Sequence, residues 1–186
     1  SSTSRGLGDV YKRQIRRFSP DCIVSTGVAG GIDACLKVTD VVASQRLVYH
    51  DVWCGDGNEY GQVQGFPASY EGCSSLLKHA LSLNEAGMES RIHSGLVCTG
   101  DQFITNRTEL DTIKQRFPDG LAVDMESAAI AQTCYLYNVP FLSFRIISDT
   151  PGVEDHASQY ADFWGTMAER SFLTIWTFLS TLPSNL

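Results

Sequence analysis

The chain has 186 residues, 43% of them hydrophobic and 19% charged, with a formal net charge of −7. This is the composition of one globular domain with a real core, and it is too apolar for disorder. An excess of acids excludes a broad phosphate-gripping or membrane-surface face, but not a small ligand held by a few local donors.

In chain order, residues 1–14 are polar and Gly/Ser/Arg-rich, with neither helical nor strand period. They are expected to form a foreign or disordered tail. The string Asp9-Val10-Tyr11-Lys12-Arg13-Gln14 resembles translated adapter sequence. The domain is expected over 15–186. It opens on a helix tail, 15–18, leading into a buried strand at 22–25 that ends in a turn at Thr26-Gly27. A sheet opening this way is expected to lack its first strands, as in an N-terminally truncated domain.

Residues 41–49 and 92–99 are apolar and β-branched and read as strands. Leu76, Leu77, Ala80, Leu81 and Leu83 mark a helix stopped by Gly87. Leu110, Ile113 and Phe117 mark another, with Thr108 and Asp111 as a capping box and Pro118-Asp119-Gly120 as the stop. Residues 126–137 form an Ala-rich helix, and 141–147 a strand covered on both faces. A last helix over 158–182 places Phe163, Met167, Phe172, Trp176 and Leu179 on or near one stripe. Such alternation predicts an α/β fold with a mixed or mostly parallel sheet.

Six cysteines, Cys22, Cys35, Cys54, Cys73, Cys98 and Cys134, include no C-x-x-C pair and are expected to be buried free thiols. No apolar run approaches the about 18 residues of a membrane span. The expectation is a soluble, cytoplasmic protein with no nucleic-acid or membrane partner, for which the sequon Asn106-Arg107-Thr108 is irrelevant.

Four stretches follow strands, where open α/β sheets place ligands. Thr26-Gly27-Val28-Ala29-Gly30-Gly31 allows close backbone approach, but taken alone it reads first as a tight turn. Thr99-Gly100-Asp101-Gln102-Phe103-Ile104 exposes an aromatic ring. Val123-Asp124-Met125-Glu126 offers two carboxylates at a helix start, which suit the helix dipole or a ribose diol. Arg145-Ile146-Ile147-Ser148-Asp149 delivers a hydroxyl and a carboxylate to a strand end, where Asp149 reads equally as a cap or as a functional acid.

Together with Tyr49-His50-Asp51 and Glu59-Tyr60-Gly61-Gln62, these motifs resemble, in order, those of the 5′-methylthioadenosine/S-adenosylhomocysteine nucleosidases of the nucleoside phosphorylase superfamily. The resemblance covers nearly the whole chain. It implies a three-layer sandwich around a twisted mixed central sheet, a homodimer, and no metal or organic cofactor. Asp149 is then the acid that protonates adenine N7, held by Ser148. Phe103 stacks on adenine and the Ile104 backbone reads its edge. Met125 and Glu126 contact the ribose, Glu126 taking its hydroxyls. Val28, Ala29 and Gly30 line the ribose side, Tyr160 lies near the 5′-substituent, and residues 53–64 close the partner's 5′ pocket. The family's water-activating glutamate has no counterpart here, so the chain as it stands is expected to have little or no nucleosidase activity; were it active, Asp124 is the first candidate for another base. Val28 stands where the family tolerates Ser or Thr.

Glycosidic cleavage passes through an oxocarbenium-like cation, so Asp149 is expected to hold a proton near neutral pH, above the ordinary carboxylate range. Val28 offers no side-chain donor for phosphate, which favours hydrolysis, and a carboxyl at 149 suits a 6-amino purine. The expected function is release of adenine from 5′-methylthioadenosine and S-adenosylhomocysteine, within methionine salvage. Alternatives are another purine nucleosidase or phosphorylase of the superfamily, such as a futalosine hydrolase, or an inactive nucleoside-binding fragment.

Overall fold

The computed structural model describes residues 3–87, 90–151 and 156–183. Helix α1 (Thr3–Phe18) leads into β1 (Ile23–Gly31) and β2 (Val41–Tyr49). A short strand β3 (Tyr70–Glu71), helix α2 (Ser74–Ser82) and a 3-10 turn (Leu83–Ala86) precede β4 (Ile92–Thr99). Then come α3 (Arg107–Arg116), β5 (Gly120–Asp124), α4 (Ser127–Tyr137) and β6 (Phe141–Asp149). Helix α5 (His156–Asp162), a π turn (Phe163–Met167) and α6 (Ala168–Ser180) complete the chain.

The sheet is mixed, in the order β3-β2-β4-β5-β1-β6. β1 runs parallel to β6 from Ile23 to Ala29, then shifts register and pairs antiparallel with β5 through Gly30 and Gly31. β2 pairs parallel with β4, and Val41, Val42 and Ala43 also pair antiparallel with β6. Five strands therefore close into a circuit. Ile15, Val42, Leu47, Val97, Ile130 and Ile147 fill the core beneath α1 and α4. Val41, Leu76, Ile92, Phe144, Phe163 and Phe178 fill the opposite layer. A third cluster beneath α3 joins Val48, Cys98, Ile104, Leu110, Ile113 and Val123.

Several local expectations are corrected. Residues 3–14 are helical despite their lack of period: Ile15 is buried and Tyr11 packs against the same core as α4. β1 does not turn at Thr26-Gly27 but continues to Gly31, and none of Gly27, Gly30 and Gly31 has positive φ. The capping box shifts by two residues. Asn106, not Thr108, caps α3, its side chain accepting from the Glu109 N–H at 3.0 Å. The six cysteines are free, but only Cys98 and Cys134 are buried; Cys35 and Cys54, set in loops, are exposed.

The last helix is corrected most. Phe163 and Phe178 are buried, while Phe172 and Trp176 are 64% and 69% exposed and Leu179 is also exposed. The π turn at Phe163–Met167 widens one turn and so rotates everything after it out of phase with a uniform helix. Phe178 consequently faces inward and stacks on Phe144, ring centroids 4.7 Å apart. The Met167 side chain lies outside the described residues.

Candidate active site

β6 is buried at all nine positions and carries Ser148 and Asp149 to its last two. Asp149 is 3% exposed. Ser148 Oγ donates to Asp149 Oδ1 at 2.5 Å and lies 3.4 Å from the Ala29 carbonyl oxygen. Parallel pairing with β6 sets Val28, Ala29 and Gly30 of β1 beside these residues. The glycines serve close approach rather than turning. A Cβ at Gly30 would lie 2.7 Å from Pro151, and one at Gly27 only 2.1 Å from Arg145 Nη1.

On the adjoining side β5 ends at Asp124, and Glu126 occupies the N-cap position of α4. Their carboxylates have separate fates. Asp124 receives Thr99 Oγ1 at 2.6 Å, the Ser127 N–H and hydroxyl, and Arg145 Nε at 2.8 Å. With every side taken up, Asp124 is the structural anion of a buried pair, and this corrects the expectation that it substitutes as a base. Glu126 is reached by Arg145 only at 3.5 Å, and its side chain is 35% exposed. Burial raises the Glu126 pKa, Arg145 opposes that rise, and Asp124 adds to it. Arg145 stands in the strand-end motif, yet the sequence alone assigns it no part. A lone arginine inside an otherwise apolar strand required a buried carboxylate partner, and that was the available signal.

The third wall is the loop 100–106. Gly100 N–H donates to the Asp124 carbonyl at 3.0 Å, and the Ile104 side chain is buried. Between them Phe103 is 55% exposed and meets Tyr160 of α5 edge to face, centroids 5.7 Å apart. Gln159 on the same helix accepts from the Thr150 N–H at 2.9 Å, tying α5 to the segment after the acid strand.

These walls enclose a cavity of about 200 Å³. Val28, Ala29, Gly30, Phe103, Ile104, Met125, Glu126, Ser148, Asp149 and Tyr160 all line it, so every expected site residue is brought together. Gln102, Val123, Asp124 and Pro151 complete the lining, of which only Gln102 lay in a motif expected to contact the base. The volume falls below the roughly 300–1,000 Å³ of drug-sized pockets. A larger hollow of about 770 Å³ between α1 and α4 contains none of these ten residues. Among the described residues no group of three or more His, Cys, Asp or Glu is placed to hold a metal ion.

The family model of the phosphorylase superfamily matches residues 12–180. A 5′-methylthioadenosine/S-adenosylhomocysteine nucleosidase of Geobacillus sp. (strain WCH70) is 38% identical over 169 residues, covering 90% of this chain and 72% of that protein. One from Chromohalobacter salexigens is 43% identical over 145 residues, covering 77% of this chain and 62% of the relative, less than two thirds of its length. The crystal structure of the Colwellia psychrerythraea nucleosidase with adenine superposes with a TM-score of 0.89 at 33% identity, covering 98% of this chain and 76% of that one. With fold, site and sequence in agreement, the chain belongs to the phosphorylase superfamily and, within it, to the 5′-methylthioadenosine/S-adenosylhomocysteine nucleosidase family.

Proposed function

We propose that this protein hydrolyses the N-glycosidic bond of 5′-methylthioadenosine and S-adenosylhomocysteine and releases adenine. The observation that carries this reading is the convergence of Asp149 with Ser148, the Phe103–Tyr160 aromatic pair and Glu126 on one cavity at the strand ends.

Bond cleavage places positive charge on the ribose and negative charge on the departing base. Asp149 delivers a proton to adenine N7, and the Ser148 hydroxyl fixes which carboxylate oxygen faces the base. Phe103 stacks on the ring, with Tyr160 across the mouth toward the 5′-substituent. The Ile104 backbone reads the base edge and Met125 lies against the sugar. Glu126 accepts the ribose hydroxyls and places negative potential beside the cation. Gly30, where a Cβ would meet Pro151, and Ala29 beside it leave the sugar side of the cavity open. Val28 contributes no hydroxyl or amine toward an anion, which supports water over phosphate as the acceptor: the water oxygen bonds to C1′ as the bond to adenine breaks, and its proton passes to solvent. The same reading extends to a cytoplasmic step of methionine salvage and to a homodimer joined through residues 53–64.

The test is adenine binding by calorimetry, together with adenine release from both substrates in phosphate-free buffer. Binding, and release at a rate indifferent to added phosphate, are expected. Absence of adenine binding, or strict dependence of release on phosphate, overturns the reading.

A further inference from the structure

Tyr49-His50-Asp51 is the one motif of the resemblance that the proposed chemistry leaves without a part. The structure places it behind the base-stacking loop, not in the cavity: none of its three residues lines the nucleoside pocket. Asp51 follows β2 and is exposed, yet its Oδ2 accepts the backbone N–H of Asp101 at 2.7 Å. The preceding residue closes the same contact from below. His50 N–H donates to the Thr99 carbonyl at 2.8 Å, and the His50 ring is 4% exposed. It lies so close under Gly100 that a Cβ there would come within 2.3 Å of Nε2 and 3.0 Å of the Asp51 carboxyl carbon.

The loop is therefore gripped at its first two residues. Gly100 is held by the Asp124 carbonyl and by contact with His50, and Asp101 by Asp51. Its far anchor is the buried Ile104 side chain. Only Gln102 and Phe103 lie between the Asp51 clamp and that anchor, so the height of the Phe103 ring over the cavity depends on where Asp101 is held.

Resting on the nucleoside reading above, we propose that Asp51 is a positioning residue for base recognition: it acts through the Asp101 N–H to hold Phe103 and Ile104 in register with adenine. What this role needs is an acceptor oxygen, not a charge. Asn at 51 keeps such an oxygen and Ala removes it. Because Asp51 is exposed and outside every core cluster, its loss leaves the fold standing.

The experiment compares the parent chain with Asp51→Ala and Asp51→Asn by adenine calorimetry, amide hydrogen exchange across residues 100–106, and melting temperature. A hydrogen bond from a backbone amide to a carboxylate sets the expected effect: about tenfold weaker adenine binding in Asp51→Ala, with faster exchange at Asp101. Asp51→Asn is expected within about threefold of the parent, and all three proteins melt together. Adenine affinity in Asp51→Ala within about twofold of the parent overturns the proposal, as does an Asn variant as weak as Ala. A parent chain that does not bind adenine instead overturns the nucleoside reading itself.

Discussion

Asp149 and Glu126 line one small cavity, yet they differ in what holds them. Asp149 sits at the end of a buried strand with a hydroxyl donated to it, whereas Glu126 stands at a helix start, partly open and shared with Arg145. If Asp149 is the proton donor, Asp149→Asn lowers adenine release by about 10²–10⁴-fold while adenine binding stays measurable. Near-normal turnover in that variant would make Asp149 a strand-end cap. For Glu126 the sign of the pH dependence follows from its burial. Its raised pKa means protonation begins above the ordinary carboxylate range, and, if Glu126 is the acceptor of the ribose hydroxyls, its protonated carboxyl no longer accepts both. The ratio of nucleoside to adenine affinity is therefore expected to fall on acidification, starting at a higher pH than for an ordinary glutamate. Glu126→Gln removes that limb. Folding stability carries the opposite sign: the raised pKa favours the protonated fold, and that increment is lost as pH rises through the folded pKa.

At the scale of elements, β1 shows how a strand can be legible in one half and misread in the other. Its apolar start announced a strand, and its glycines announced a turn. The real constraint on Gly27 comes from Arg145 on β6, which local sequence does not display. Gly27→Ala is expected to displace the guanidinium from the buried Asp124 and cost about 3–5 kcal/mol, read as a shift in the denaturation midpoint. Gly6→Ala, in helix α1 with no neighbour within 4 Å, serves as the control and does not lower the midpoint, Ala being the better helix former by about 0.5–1 kcal/mol. β2 and β4 were readable end to end because their β-branched and apolar residues are covered by packed layers. The face of α6 was not, since a π turn shifts phase without any residue that breaks a helix. The site followed the same division. Asp149, Glu126 and Phe103 were legible as chemistry-bearing side chains at strand ends. Arg145 and Asp51 act through other residues, and only the fold brings them to their partners.

At the scale of the whole molecule two surfaces invite association, and they differ in kind. The segment 53–64 presents Trp53, exposed and stacked on Tyr60 with centroids 6.0 Å apart. A self-complementary contact there closes at two copies. Among the described residues, no strand pairs with Ile23–Ala29 on the side of β1 away from β6, and Trp164, Phe172 and Trp176 are exposed on the last helical stretch. An open edge of this kind is a template for further strands. Sedimentation velocity is expected to show a dimer that Trp53→Asp reduces to monomer. Thr26→Lys, a charge on the open edge, is expected to remove larger species and leave that dimer intact. A dimer unchanged by Trp53→Asp would move the interface elsewhere. The closed circuit of strands has a further consequence, for how such a protein can change length. A ring has no end strand free to slide. One residue inserted within any of its five members must therefore shift every pairing around the circumference, break one, or be taken up in a bulge like those already at Ala29/Gly30 and Ser44/Arg46. Longer growth and loss are confined to the segments beyond the rims, which include those bearing Phe103 and Tyr160. The hoop that fixes where the acid stands leaves its surroundings free to be recut, so descendants of this architecture can change what they admit without moving what reacts.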